Sequence, residues 1–165
     1  RVLFRSRKGF NLTGKRVMVV GTGGVGSAIA ASMAAEKIAA ISLFDVNTAS
    51  CEALAQRLVK EYPTIQVGIG SNDPEGHDLV VNATPMGMNE GDPLPLDVSR
   101  LAPNTFVGEV VMRTEMTAFL QAAQQRGCRV QVGSDMLFEQ IPAYLEYFGF
   151  KTTTAEVLRS VARLG

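Results

Sequence analysis

Short apolar runs alternate along the chain with longer segments whose apolar residues recur at helical spacing. The runs at residues 16–20, 39–44, 65–69, 78–82, 105–111 and 129–132 predict six strands, the near-continuous ones buried on both faces. Between them, residues 24–36 read as a helix of small residues. Residues 48–61 place Cys51, Leu54, Ala55 and Leu58 on one face, with Asn47 as candidate N-cap. Residues 115–126 carry Phe119, Leu120 and Ala123 and stop at Gly127, a helix-ending glycine. A further helix is expected over 134–148, with Pro142 inside it. The tail opens with a capping box from Thr153 to Glu156. Strands alternating with helices predict an α/β fold, a mainly parallel six-stranded sheet doubly wound with helices on both faces. The proline-rich stretch 84–103 is a long loop, with a turn of helix expected at 97–101. Loops of that length in a compact domain tend to be functional.

The chemistry concentrates where the first strand ends. Gly21-Thr22-Gly23-Gly24-Val25-Gly26 follows that strand and opens a helix, and Asp45 closes the second strand about 20 residues on. In this context the glycines have distinct duties. Gly21 allows the tight turn, Gly23 lets a pyrophosphate approach the backbone, and Gly26 lets the helix lie close to the sheet. The helix N-terminus adds unpaired N–H groups and a partial positive charge. The pattern defines a Rossmann-type dinucleotide site. Asp45 can accept both ribose hydroxyls of NAD, whereas the 2′-phosphate of NADP would meet like charge and no arginine follows, so NAD is preferred and NADP is less favoured. Asp45 could equally cap the next helix, and one residue can do both.

Composition narrows the partners. Forty-six per cent apolar residues in a 165-residue chain are enough for one sizeable core. Sixteen basic against sixteen acidic residues leave no electrostatic footprint for nucleic acid or an anionic membrane, so neither is expected as a partner. No apolar stretch reaches membrane-spanning length, and a cytoplasmic location is expected. Cys51 and Cys128 lack CxxC spacing and a histidine companion, so no metal site is expected and both read as buried apolar groups. His77, the single histidine, precedes the fourth strand at the end away from the glycines, and Lys15 lies at that same end; neither is placed for catalysis. Arg113, after the fifth strand, could meet a carboxylate or phosphate. Residues 1–8 look like a non-native or linker segment, with Arg1–Ser6 resembling translated adapter sequence. That leaves 9–165 as the dinucleotide-binding domain.

Two further segments carry a resemblance. Asn82-Ala83-Thr84-Pro85-Met86-Gly87-Met88 after the fourth strand, and Met136-Leu137-Phe138-Glu139-Gln140 near the end, are similar to signatures of the C-terminal cofactor domain of shikimate and quinate dehydrogenases. The resemblance spans about residues 9–149. It implies that Gly21, Thr22, Gly23, Gly24, Val25 and Gly26 hold the pyrophosphate and that Asp45 with Val46 faces the adenosine ribose. It also implies that Asn82, Ala83, Thr84 and Met86 border the cofactor, that Val110, Gly133 and Met136 lie near the nicotinamide, and that Gln140 reaches a substrate hydroxyl. The implied activity is hydride transfer between nicotinamide and a ring hydroxyl or ketone of a hydroxylated cyclic acid, a small-molecule substrate, by a monomer or homodimer. The family's catalytic lysine and aspartate belong to an N-terminal domain that is absent from this chain, so the chain alone is expected to bind cofactor without turnover. Glu109 stands where the family usually has Asp, Met112 where it has Tyr, and Asp135 where glycine is common. A stand-alone NAD-sensing module is the competing expectation.

Overall fold

The computed structural model describes residues 10–89, 91–135 and 154–161. Strand β1, Arg16–Val20, is buried from Val17 to Val20, and its neighbours complete a sheet around it. The remaining elements are α1 (Gly24–Ala34), β2 (Ala40–Phe44), α2 (Thr48–Glu61), β3 (Gln66–Ile69), β4 (Leu79–Asn82), a 3-10 turn (Val98–Arg100), β5 (Phe106–Glu109), α3 (Ala118–Gln125), β6 (Arg129–Gln131) and α4 (Ala155–Val161). The six strands lie in the order β3-β2-β1-β4-β5-β6. Every pairing is parallel, so the sheet is wholly rather than mainly parallel.

Alternation along the strands explains the two layers of helices. Val17 and Val19 of β1, Leu79 and Val81 of β4 and Phe106 of β5 join one cluster with Ile29 and Met33 of α1 and Leu54 and Leu58 of α2. The intervening Met18, Val20, Val80 and Val107 join a second cluster with Phe119, Leu120 and Ala123 of α3 and Leu101 after the 3-10 turn. Side chains of period two thus pack against helices on both faces, as a doubly wound sheet requires. Because β1 lies between β2 and β4, the strand order reverses beside it. Such a reversal opens a crevice beyond the carboxyl ends of the strands.

Several boundaries differ from those expected. The first helix ends at Ala34 rather than residue 36, because the chain turns there and Lys37 takes a left-handed conformation (φ 58°). The fifth strand ends at Glu109 rather than 111. Val110 N–H still reaches Asn82 O at 3.1 Å, but β4 has no further residue to offer beyond Asn82. Helix α3 starts at Ala118 rather than 115, where Thr117 caps it by accepting the Leu120 N–H. In the tail Thr154 accepts the Val157 N–H and so acts as the cap of α4; Thr153 lies outside the described residues, as does the expected helix beyond residue 135. Helix α2 and its Asn47 cap match expectation.

The amino ends of the strands hold a separate polar layer. Lys15 pairs with Asp78 at 3.1 Å, and Asp78 also accepts the Arg16 N–H at 2.9 Å. His77 lies 2.9 Å from the Ser42 hydroxyl and 3.1 Å from Pro74 O through its two ring nitrogens. These contacts tie β4 to β1 and β2 at the end remote from the glycine turn.

Candidate nucleotide crevice

The glycine turn is closed on one side and open on the other. Gly21 has φ +96° and donates its N–H to Phe44 O at 2.7 Å. A Cβ on it would lie 2.8 Å from both Ala83 O and Thr84 Cγ2. At Gly26 a Cβ would lie 1.9 Å from Gly21 O and 3.2 Å from Ala83 Cβ, so α1 starts in backbone contact with the turn. Gly23 and Gly24, in contrast, have nothing within 4 Å of where a Cβ would be. The first helical bond of α1 runs from Ser27 N–H to Gly23 O, and Gly23 brings no capping side chain. The amides of Gly24, Val25 and Gly26 therefore precede the helical ladder at its positive end, beside open space. That is the chemistry a diphosphate needs, and the cradle fits one.

Asp45 is held at the rim of this turn. Its Oδ2 accepts the Thr22 N–H at 2.7 Å and lies 3.1 Å from the Thr22 hydroxyl, while Oδ1 accepts the Asn47 N–H at 2.9 Å. The Thr22 amide, then the Asn47 amide, hold its pKa below the ordinary carboxylate range, against an opposing effect of burial. The carboxylate is thus ionised at neutral pH and braces the glycine turn. The cap of α2 is Asn47, whose side chain accepts the Ser50 N–H, so Asp45 supports the turn rather than the helix. Ser50 and Ser27 hydroxyls both donate to Thr22 O, which adds to the bracing. Cys51 is buried beside them, and burial pushes its thiol pKa up, which keeps it unreactive. Cys128 is likewise free and buried.

The end of β4 forms the next part of the crevice floor. Asn82, fully buried, accepts the Thr84 N–H at 3.0 Å and the Thr84 hydroxyl at 2.6 Å through Oδ1, and donates from Nδ2 to Met86 O at 3.1 Å. Met86 N–H in turn donates to Thr84 Oγ1 at 3.1 Å. One side chain therefore sets the whole 82–86 turn. Ala83 and Thr84 meet Gly21 as described, and Val110 is joined to Asn82 through its N–H. Gly133 completes the row, since a Cβ there would lie 2.0 Å from Val111 O.

The sequence-predicted residues thus fall in one continuous line from Asp45 and Thr22 through Gly21 and Gly26 to Ala83, Thr84, Asn82, Val110 and Gly133. Val46, 91% exposed, and Val25 stand on the open side, and Met86 is half-buried in its turn. Met136 and Gln140 lie outside the described residues. Arg113 donates to Asn89 Oδ1 at 2.8 Å and lines a neighbouring cavity of about 620 Å³ with Thr117 and Gln121. Among the described residues no group of His, Cys, Asp and Glu could hold a metal, and no helix is long and apolar enough to cross a membrane.

One polar residue of the site was not singled out as functional by its pattern. Glu109, at the end of β5, is fully buried, and neither carboxyl oxygen has a hydrogen-bond partner at ordinary geometry. Burial pushes its pKa up to about 7, with nearby Thr117 and Asn82 pulling the other way. The available signal was a charged residue inside an otherwise apolar predicted strand.

Fold and crevice together define a Rossmann-type nucleotide-binding domain. No family model matches the chain. Its relatives nonetheless agree. It is 32% identical to shikimate dehydrogenase (NADP(+)) of Paracoccus denitrificans over 142 residues, 86% of this chain and 50% of the relative. It is 30% identical to quinate/shikimate dehydrogenase of Shigella flexneri over 169 aligned positions, 95% of this chain and 68% of the relative. Among solved structures, quinate dehydrogenase from Corynebacterium glutamicum in complex with NAD superposes with a TM-score of 0.78 at 30% identity, covering 91% of this chain and 55% of that one. The chain belongs to the shikimate/quinate dehydrogenase family. It spans about half the length of most of the relatives it matches and corresponds to their NAD(P)-binding part.

Proposed function

We propose that this chain is the NAD-holding part of a dehydrogenase that interconverts a ring hydroxyl and ketone of a hydroxylated cyclic acid of the shikimate or quinate type. The observation that carries the proposal is the asymmetry of the glycine turn. It is packed tight at Gly21 and Gly26 and open at Gly23, with unpaired helix amides on the open side. The residues hold rather than react. Gly24, Val25 and Gly26 present N–H groups to the diphosphate, and Asp45, already ionised, accepts ribose hydroxyls. The 82–86 turn and Val110 border the nicotinamide end. Bound NAD would supply the hydride-accepting ring. The acid and base that move the substrate's hydroxyl proton come from the N-terminal half of the family, so the chain alone binds cofactor and does not turn over.

NAD is the preferred form because of Asp45. A 2′-phosphate about 4 Å from its carboxylate would cost on the order of 4 kcal/mol per charge pair at an effective dielectric near 20, before salt reduces it. The free, buried state of both cysteines fits a reducing, cytoplasmic setting. Calorimetry of the chain with NAD and with NADP tests the proposal. NAD is expected to bind at least tenfold more tightly, and Asp45→Asn to narrow the gap by weakening NAD. Equal affinities for the two nucleotides in the unmodified chain would refute the preference, and failure to bind either would refute the function.

A further inference from the structure

Three buried polar side chains meet on the α3 side of the sheet where β4 and β5 end. Asn82 and Glu109 are directly paired across the two strands, and Thr117 caps α3 close by. Asn82 and Glu109 are 0% exposed and Thr117 is 1% exposed. Among the described residues, the donors and acceptors of this cluster do not balance. Asn82 Nδ2 spends one N–H on Met86 O and has a second to give. Thr117 Oγ1 accepts the Leu120 N–H, which leaves its own proton free to donate. Glu109 offers two oxygens and neither is engaged. Two spare donors flank two spare acceptors in a site without water access, where unpaired polar groups are costly.

We propose that Glu109 is a positioning residue whose carboxylate, when the crevice binds its nucleotide, takes the spare Asn82 N–H on one side and the Thr117 hydroxyl on the other, clasping the 82–86 turn to the start of α3. The proposal rests on nucleotide binding in the crevice as described above. Glu109 acts through Asn82, which already orders Thr84 and Met86, and not by touching the reacting atoms. Before the clasp forms, burial outweighs the weak pull of Thr117 and Asn82, which do not yet meet the carboxyl oxygens at ordinary hydrogen-bond geometry, and holds the carboxyl pKa at about 7. Among the described residues, the groups facing it from β4 and α3, Asn82 and Thr117, are uncharged, and the charged residues of the flanking segments are Arg113, Glu115 and Asp135. Drawing both donors into full hydrogen bonds stabilises the ionised form further and so lowers the pKa in the bound state. The sign follows: binding releases a proton, and affinity rises as pH rises through about 7.

Calorimetry of the whole chain with NAD in two buffers of different ionisation enthalpy reads that proton directly. About half a proton is expected to leave near pH 7, and affinity to be about tenfold higher near pH 8 than near pH 6. Glu109→Gln, which keeps the size but not the ionisation, should abolish both effects while the chain remains folded. NAD binding with no proton release and no pH dependence overturns the clasp and leaves the proposed function standing. If NAD does not bind at all, the proposed function fails, and ionising Glu109 by pH alone then tests whether its carboxylate takes the two donors. Amide NMR signals of Thr84, Met86 and Leu120 should then titrate with one common midpoint near pH 7 that is missing in Glu109→Gln. Separate midpoints, or none in the unmodified chain, overturn it. His77 lies against Ser42 and Pro74 at the opposite end of the sheet, remote from those amides. Should the variant fail to fold, the unmodified chain's proton release and common midpoint decide alone.

Discussion

Replacing Gly26 by alanine should destabilise the protein although the position lies in the first turn of a helix, where alanine is normally the better residue. The intrinsic preference favours Ala by about 0.8–1.0 kcal/mol. Against that stands the contact in the turn. The new methyl would lie 1.9 Å from Gly21 O and 3.2 Å from Ala83 Cβ, both inside the ordinary contact range that begins near 3.4 Å. The obstructing atom is a backbone carbonyl, so no rotamer change relieves it. Helix α1 must lift from the turn, which disturbs Ile29, Ala30 and Met33 where they pack on Val17 and Val19. Overpacking of this kind costs about 1–3 kcal/mol and more where backbone must move, so a net loss of about 2 kcal/mol is expected. For a chain of this size that is a fall in Tm of about 4–8 °C. Differential scanning calorimetry of Gly26→Ala beside Gly24→Ala provides the measurement and its control, since Gly24 shares the helix but has nothing within 4 Å. A Tm for Gly26→Ala equal to or above that of the unmodified chain would show that the helix does not sit against the turn in this way.

Gly23→Ala should give the opposite pairing of effects: unchanged stability, because the position is open and its φ of -64° suits any residue, but at least tenfold weaker NAD binding if the pyrophosphate occupies that space. Unchanged affinity would place the phosphates elsewhere. Asp45 should contribute stability above its unfolded pKa near 4 and lose it as pH falls through its lowered folded value, because protonation weakens its hold on the Thr22 and Asn47 amides. Urea unfolding from about pH 6 to about pH 3 should therefore show Asp45→Asn less stable at the upper end and level with the unmodified chain at the lower. A stability gap of constant size across that range would count against the bracing role.

Much of this was legible from periodicity. Helix α2 and its cap follow from the stripe of Cys51, Leu54 and Leu58 after Asn47, and β1 from an apolar run leading into glycines. What escaped depends on partners rather than on local pattern. Val110 and Val111 prolong the apolar run of β5, but a strand ends where its neighbour does, and β4 stops at Asn82. Glu115 and Met116 have acceptable helical character, yet the Thr117 cap sets the start of α3 three residues later than the pattern suggested. The glycine spacing carried the cradle and its acid, because each glycine marks a steric demand that any sequence making this turn must meet. It carried nothing about how that acid is held, since Thr22 and Asp45 meet only once β1 and β2 are paired.

The two carboxylates of the crevice floor show why residue type alone was insufficient. Asp45 directly follows β2 and Glu109 ends β5 of the same sheet, and their protonation equilibria move in opposite directions. Asp45 follows Phe44 into a turn whose free amides point at it, and those amides favour the charged form. Glu109 is enclosed by strand and helix whose amides are already used, and burial favours the neutral form. The crevice therefore carries a permanent negative charge at the end proposed for the adenosine ribose and a titratable one at the other. Among the described residues of the crevice, the second end carries the carboxyl group raised toward neutrality and Asp45 the one held below its ordinary range, so a pH dependence of nucleotide binding near neutrality points to the floor beneath the 82–86 turn rather than to the grip at Asp45.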